Sequence, residues 1–109
     1  MNHKLLFALS LCRKAGALIT GFEPVRESVL QGQAYCVLCA SDASPRTQRH
    51  TKELCEGLCD YYEMALSKET LNQITKKTTA VFAVTNPELA NLCRQAMLQQ
   101  TITQKEERI

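Results

Sequence analysis

The sequence predicts an α/β domain in which helices cover both faces of a small sheet, and three observations carry that prediction. Segments with apolar residues at helical spacing alternate along the chain with short apolar or alternating runs of strand length. Glycine and proline punctuate them: Gly16, Gly21 and Gly32 follow or separate segments, and Ser44-Pro45 and Asn86-Pro87 read as helix starts. The chain has 109 residues, 45% of them hydrophobic, which suits one core and one domain. That domain spans residues 1–100, and the polar tail 101–109 is expected to be mobile.

The elements follow in order. Asn2 can cap a helix running to about Ala15, with Leu5, Leu6, Leu9 and Cys12 inside and His3, Ser10 and Lys14 opposite. Gly16 ends it, and Ala17 to Thr20, short and partly β-branched, suits a small edge strand. The stretch GFEPVRESVLQGQAYCVLCASDASP, Gly21 to Pro45, opens with a turn and a short helix. Pro24 fits the first helical position, where a missing N–H costs nothing, and Gly32 fits the position just past the helix end. Ala34 to Ala40 is a continuous apolar run, the pattern of a central strand covered on both faces. Ser44 and Pro45 then start a helix to about Leu58, with Thr47, Thr51, Leu54, Cys55 and Leu58 inward.

Tyr62, Met64 and Leu66 alternate with Glu63 and Ala65, as in a strand with one wetter face. Ser67 caps a short helix whose apolar side is Leu71 and Ile74, and Ala80 to Val84 is a second buried strand. Asn86 and Pro87 open a closing amphipathic helix bearing Leu89, Leu92, Cys93, Ala96 and Met97.

Several chemistries are argued against by the residues themselves. No apolar stretch reaches the roughly 18 residues of a membrane helix, and the segment Leu5 to Cys12 lacks a cleavage pattern, so the expected location is cytoplasmic, without a membrane partner. All six cysteines (Cys12, Cys36, Cys39, Cys55, Cys59 and Cys93) have apolar neighbours, and they read as free thiols packed like small hydrophobes. Cys36 and Cys39 lie three apart in a strand and so point to opposite faces; Cys55 and Cys59 could converge on a helix, but two ligands do not complete a zinc site. No metal is expected. Neither a phosphate-binding loop nor a dinucleotide-binding glycine pattern occurs, so no cofactor and no small-molecule substrate are expected. Glu23 and Glu27 lie four apart near a helix start, but the macrodipole accounts for Glu23 and no catalytic partner is visible, so no catalytic residue is assigned.

The net charge is +2, and its distribution says more than its size. Up to Lys52 there are seven basic residues against three acidic, so positive charge collects on the half that holds two closely spaced helix starts. Helix N-termini offer unpaired N–H groups to anions, which suits a phosphate-bearing partner.

In order and spacing, LLFALSLCRKAGALITG, EPVRESVLQGQAYCVLCASDAS and AVFAVTNPELA resemble the kink-turn RNA-binding ribosomal protein family of the archaeal and eukaryotic large-subunit type. The similarity is greatest to its small bacterial YlxQ-like branch, and covers about Leu5 to Ala96. The resemblance implies a three-layer α/β/α sandwich with a small four-stranded mixed sheet. It also implies a structured, kink-turn-like RNA partner, ribosomal RNA among the candidates. In such proteins the helix start after the first glycine meets the sheared G·A pairs, and the loop before the last helix packs on an extruded nucleotide. Those positions correspond here to Gly21, Phe22, Glu23, Pro24, Arg26 and Glu27, and to Val84, Thr85, Asn86 and Pro87, with the Asp42 to Pro45 loop beside them; Arg13 and Lys14 add cations.

The family pattern is not fully kept. Archaeal and eukaryotic members use an Asn-Glu pair and a nearby Lys, where this chain has Glu23, Pro24 and Glu27. Asparagine can donate to a guanine O6, but an ionised glutamate only accepts, and Glu27 replaces attraction to phosphate with repulsion. The expected function is therefore non-enzymatic RNA binding, ribosome-associated; the alternative is a protein-interaction module that keeps the fold and has lost kink-turn recognition.

Overall fold

The computed structural model describes residues 3–76 and 78–107, with side chains from residue 4 to residue 98 apart from Lys77. The elements are α1 (His3–Lys14), β1 (Leu18–Thr20), α2 (Phe22–Leu30), β2 (Cys36–Cys39), α3 (Pro45–Cys55), β3 (Asp60–Glu63), α4 (Lys68–Thr75), β4 (Val81–Val84) and α5 (Pro87–Glu107). The strands form one sheet in the order β1-β4-β2-β3. β4 runs antiparallel to both β1 and β2, and β2 runs parallel to β3, so the sheet is mixed.

Strand periodicity divides the core in two. Cys36, Leu38, Phe82 and Val84 pack with α1, α4 and α5 residues such as Leu5, Leu9, Leu71 and Cys93. Val37, Cys39, Val81 and Ala83 pack on the other face with Val25 and Val29 of α2 and Cys55 of α3. This is a three-layer α/β/α arrangement, and it explains why CVLC and VFAV are apolar at every position: both faces of these two central strands are covered. Cys36 and Cys39 fall in opposite clusters, as strand geometry requires. Burial pushes the Cys36 thiol up to about 12, so it stays protonated and inert at neutral pH.

The boundaries differ from expectation in informative ways. α2 begins at Phe22 with Gly21 as its N-cap, so Pro24 is the third helical residue and not the first. The substitution of place is harmless because the first four N–H groups of a helix lack intrahelical partners in any case. α3 starts as expected, with Ser44 Oγ accepting from the Thr47 N–H at 3.1 Å, but it stops at Cys55. Gly57, at φ +72°, turns the chain there, and Leu58 faces solvent at 59% exposure instead of pointing inward. β3 is Asp60–Glu63, earlier than the Tyr62 to Leu66 alternation suggested, because parallel pairing of Asp60 with Cys36 sets where the ladder begins. Met64 and Leu66 are nevertheless buried, so the alternation recorded their burial correctly. α5 continues to Glu107, which makes 101–107 helical backbone. The Asn2 cap and the His3 side chain lie outside the described residues.

One buried group in α2 is left without a partner. Ser28 is 5% exposed, and its Oγ makes no hydrogen bond. A buried hydroxyl without a partner opposes folding, and alanine is the better helix former. Ser28→Ala is expected to raise stability by about 1 kcal/mol, read as a higher urea midpoint with an unchanged slope.

Candidate nucleic-acid interface

Because β4 runs against β1 and β2, the connections sort to two opposite ends of the sheet. At one end lie the β1–α2 junction at Gly21, the β2–α3 loop, the β3–α4 loop and the loop entering β4. Backbone bonds tie them together: Gly21 N–H to the Val81 carbonyl at 2.9 Å, Ala40 N–H to Ala80 at 2.8 Å, and Ser41 N–H to Leu66 at 2.8 Å. Asp42 Oδ1 accepts the backbone N–H of Lys68 at 2.9 Å, which joins the β2–α3 loop to the start of α4. At the other end, Thr85 N–H bonds Ala17 at 3.0 Å and Tyr35 N–H bonds Val84 at 2.8 Å.

The residues singled out from sequence are split by this geometry. Gly21, Phe22, Glu23, Pro24, Arg26, Glu27 and Asp42 gather at the first end. Val84, Thr85, Asn86 and Pro87 leave β4 at the second end, together with Arg13 and Lys14, which close α1. Four strand residues separate the two ends, roughly 13 Å at strand rise, so the loop before the last helix cannot share a surface with the start of α2. Asn86 has a local task instead: its Oδ1 accepts the Leu89 N–H at 3.0 Å and caps α5.

The loop that does enter β4 beside Gly21 is residues 76–80, which sequence reading treated only as the exit from a helix. Lys76 closes α4 in the left-handed conformation, at φ 59°, among the described residues the only non-glycine with positive φ. A lysine held where glycine or asparagine is favoured marks a backbone fixed by its surroundings. Its signal in the sequence was the polar run Lys76-Lys77-Thr78-Thr79 directly before a buried strand.

Three helices start at this end, and they differ in how they are capped. Ser44 caps α3, and Ser67 caps α4 by accepting from the Thr70 N–H at 3.2 Å. α2 has no side-chain cap, because Gly21 stands at its N-cap with φ 94° and ψ 148°. Its first N–H groups, those of Phe22 and Glu23, therefore remain available to an acceptor from outside, where the helix dipole also favours negative charge. Phe22 is half-buried against the second core cluster, which fixes the ring beside these groups. Glu23, Pro24, Arg26 and Glu27 are exposed around them. Arg26, Arg46 and Lys76 are exposed and make no ion pair among the described residues, where the single pair is Arg94 with Asp60 at 2.7 Å.

This combination of a glycine-led uncapped helix, a polar loop entering the central strand and an α/β/α sandwich has a counterpart among known proteins. The sequence pattern of the ribosomal protein L7Ae/L30e/S12e/Gadd45 family matches residues 3–107. The chain belongs to this family. Similar solved structures include a protein of unknown function from Bacillus halodurans C, with 27% identity and a TM-score of 0.73 over 84% of this chain and 97% of that one. Another is the Giardia lamblia 15.5kD RNA binding protein, with 22% identity and a TM-score of 0.71 over 88% of this chain and 83% of that one. No curated protein matches the sequence. In this L7Ae/L30e/S12e/Gadd45 family chain, then, the α2 start presents free backbone donors, two carboxylates and one guanidinium, with Lys76 on the loop that enters β4.

Proposed function

We propose that the protein binds a structured, kink-turn-like RNA through the sheet end at which α2 begins, and that it does so without catalysis, in the cytoplasm and in association with the ribosome. Family membership and the likeness to an RNA-binding protein support RNA as the partner. The observation that carries the site is the uncapped start of α2, with unpaired Arg26 in its second turn and Lys76 on the adjoining loop. Kinked RNA exposes base edges and unstacked bases, and free N–H groups with nearby cations suit its phosphates and acceptors. With Glu23 and Pro24 in place of side-chain donors, most of the recognition falls to the backbone and to these cations. Glu23 can still accept from a base amino group.

The test is a titration with a kink-turn RNA and a matched straight duplex, at two salt concentrations with magnesium present. A clear preference for the kinked RNA is expected; equal or absent binding counts against the proposal. Arg26→Glu is expected to weaken binding across sequences and to flatten the salt dependence by about one unit of slope or more. An unchanged affinity and slope would remove Arg26 from the interface.

A second reading is favoured by one specific observation, the exposure of Glu23 and Glu27 on the outer side of α2, where each repels phosphate. Under it the same end docks a protein. Capture of that protein by the purified chain then survives ribonuclease treatment, whereas capture bridged by RNA does not.

A further inference from the structure

The first and last helices pack against each other along a seam, and two cysteines meet inside it. Cys12 on α1 and Cys93 on α5 are both fully buried, and their sulfurs lie 3.9 Å apart although 81 residues separate them. One sulfur donates a weak hydrogen bond to the other. With Cys93 donating, the Cys12 thiol is held below its usual range and that of Cys93 above it, which favours Cys12 as the thiolate of the pair. The other buried thiols, Cys36, Cys39 and Cys55, are pushed up by burial. The seam is not sealed along its length: a groove lined by Lys4, Phe7, Leu92, Gln95 and Ala96 opens between the same two helices, and Leu92 adjoins Cys93 in the chain. A small neutral oxidant can approach the pair from there.

We propose that Cys12 and Cys93 are a modification site, an oxidisable pair that a peroxide converts to a disulfide joining α1 to α5. The Cys12 thiolate attacks one peroxide oxygen and breaks the O–O bond, giving a sulfenic acid on Cys12 and releasing hydroxide or alkoxide. The Cys93 sulfur then attacks the Cys12 sulfur; the S–S bond forms, and the sulfenic hydroxyl leaves as water with the Cys93 proton. Two sulfurs are oxidised and one peroxide is reduced. A disulfide bond is about 2.0 Å long, so the sulfurs close by roughly 2 Å through side-chain rotation and a slight approach of the helices. The closed loop contains nearly the whole domain, so the bond restricts the unfolded chain strongly.

The experiment treats the purified full chain with hydrogen peroxide, blocks remaining thiols with a maleimide and maps tryptic peptides without reduction. The expected product is residues 5–13 joined to residues 78–94, lighter by two hydrogens and separated by a thiol reductant. The oxidised protein is expected to melt roughly 10 °C higher than the reduced one. The Cys12→Ala variant loses both the joined peptide and the shift. Finding Cys12 and Cys93 still alkylated, converted to sulfinic or sulfonic acids, or joined to other cysteines overturns the proposal. The wild-type map decides the matter even if the variant fails to fold.

Discussion

Phe82→Ala is expected to lower stability by about 3–5 kcal/mol, the range for emptying a large aromatic site in a core. Phe82 leads the largest fully buried side chains, at 1% exposure. It sits on β4, opposite Leu38 on one side and Thr20 on the other, and it packs into the cluster that holds α1, α4 and α5 on the sheet. Three helices and two neighbouring strands therefore border the cavity that the truncation opens. None can close it without moving the others. A domain of this kind has roughly 5–15 kcal/mol in hand, so a large part of its stability is removed and the variant is expected to be partly unfolded at 37 °C. Urea unfolding followed by circular dichroism measures the loss, with Tyr35→Ala as control, since Tyr35 is 47% exposed and its truncation is expected to stay within about 1 kcal/mol. A loss below about 1.5 kcal/mol for Phe82→Ala would show that the core relaxes around the cavity.

Gly21→Val is expected to have the largest effect at the proposed interface. At φ 94° and ψ 148° the backbone of Gly21 occupies a region that residues with a Cβ rarely enter, and a β-branched residue least of all. Contact is not the obstacle, because an added Cβ would meet Pro24 Cδ at an ordinary 3.6 Å. The strain lies in the backbone and is expected to cost about 1–3 kcal/mol. Relief requires the chain to turn differently between β1 and α2, which disturbs the Gly21 bond to Val81 and re-aims the free N–H groups of Phe22 and Glu23. RNA affinity is expected to fall by at least tenfold, while far-ultraviolet circular dichroism keeps its native shape. Retained affinity in a folded Gly21→Val variant would place the RNA elsewhere.

What was legible in the sequence and what was not divides along a physical line. Ser44-Pro45, Ser67 and Asn86-Pro87 announced helix starts because a cap is made by a residue and its neighbours three positions on, and all three caps are present. The continuous apolar runs at Cys36 and Val81 announced central strands for the same local reason. The start of β3 was misplaced because its ladder is set by pairing with β2, across a gap that includes the whole of α3. The site was divided wrongly for a related reason. Whether Val84 to Pro87 or residues 76–80 lie near Gly21 depends only on the direction in which β4 crosses the sheet, and no residue of β4 encodes direction by itself. Lys76 was passed over because a positive φ at a lysine leaves no mark in composition.

The sheet order also fixes when the protein can become a protein. β4 is the last strand in the chain, yet it is inserted between β1 and β2 and is the only element that joins them. Until it has been made, β1 has no strand partner, and β2 and β3 form an isolated parallel pair with half of each core uncovered. A chain growing on the ribosome therefore stays open for three quarters of its length and closes in one late step, with α5 following at once. A fragment that stops before Val81 has no stable fold to adopt. Conversely, peptides carrying β4 and α5 are natural partners for such a fragment, since they supply the wedge that the unfinished sheet lacks.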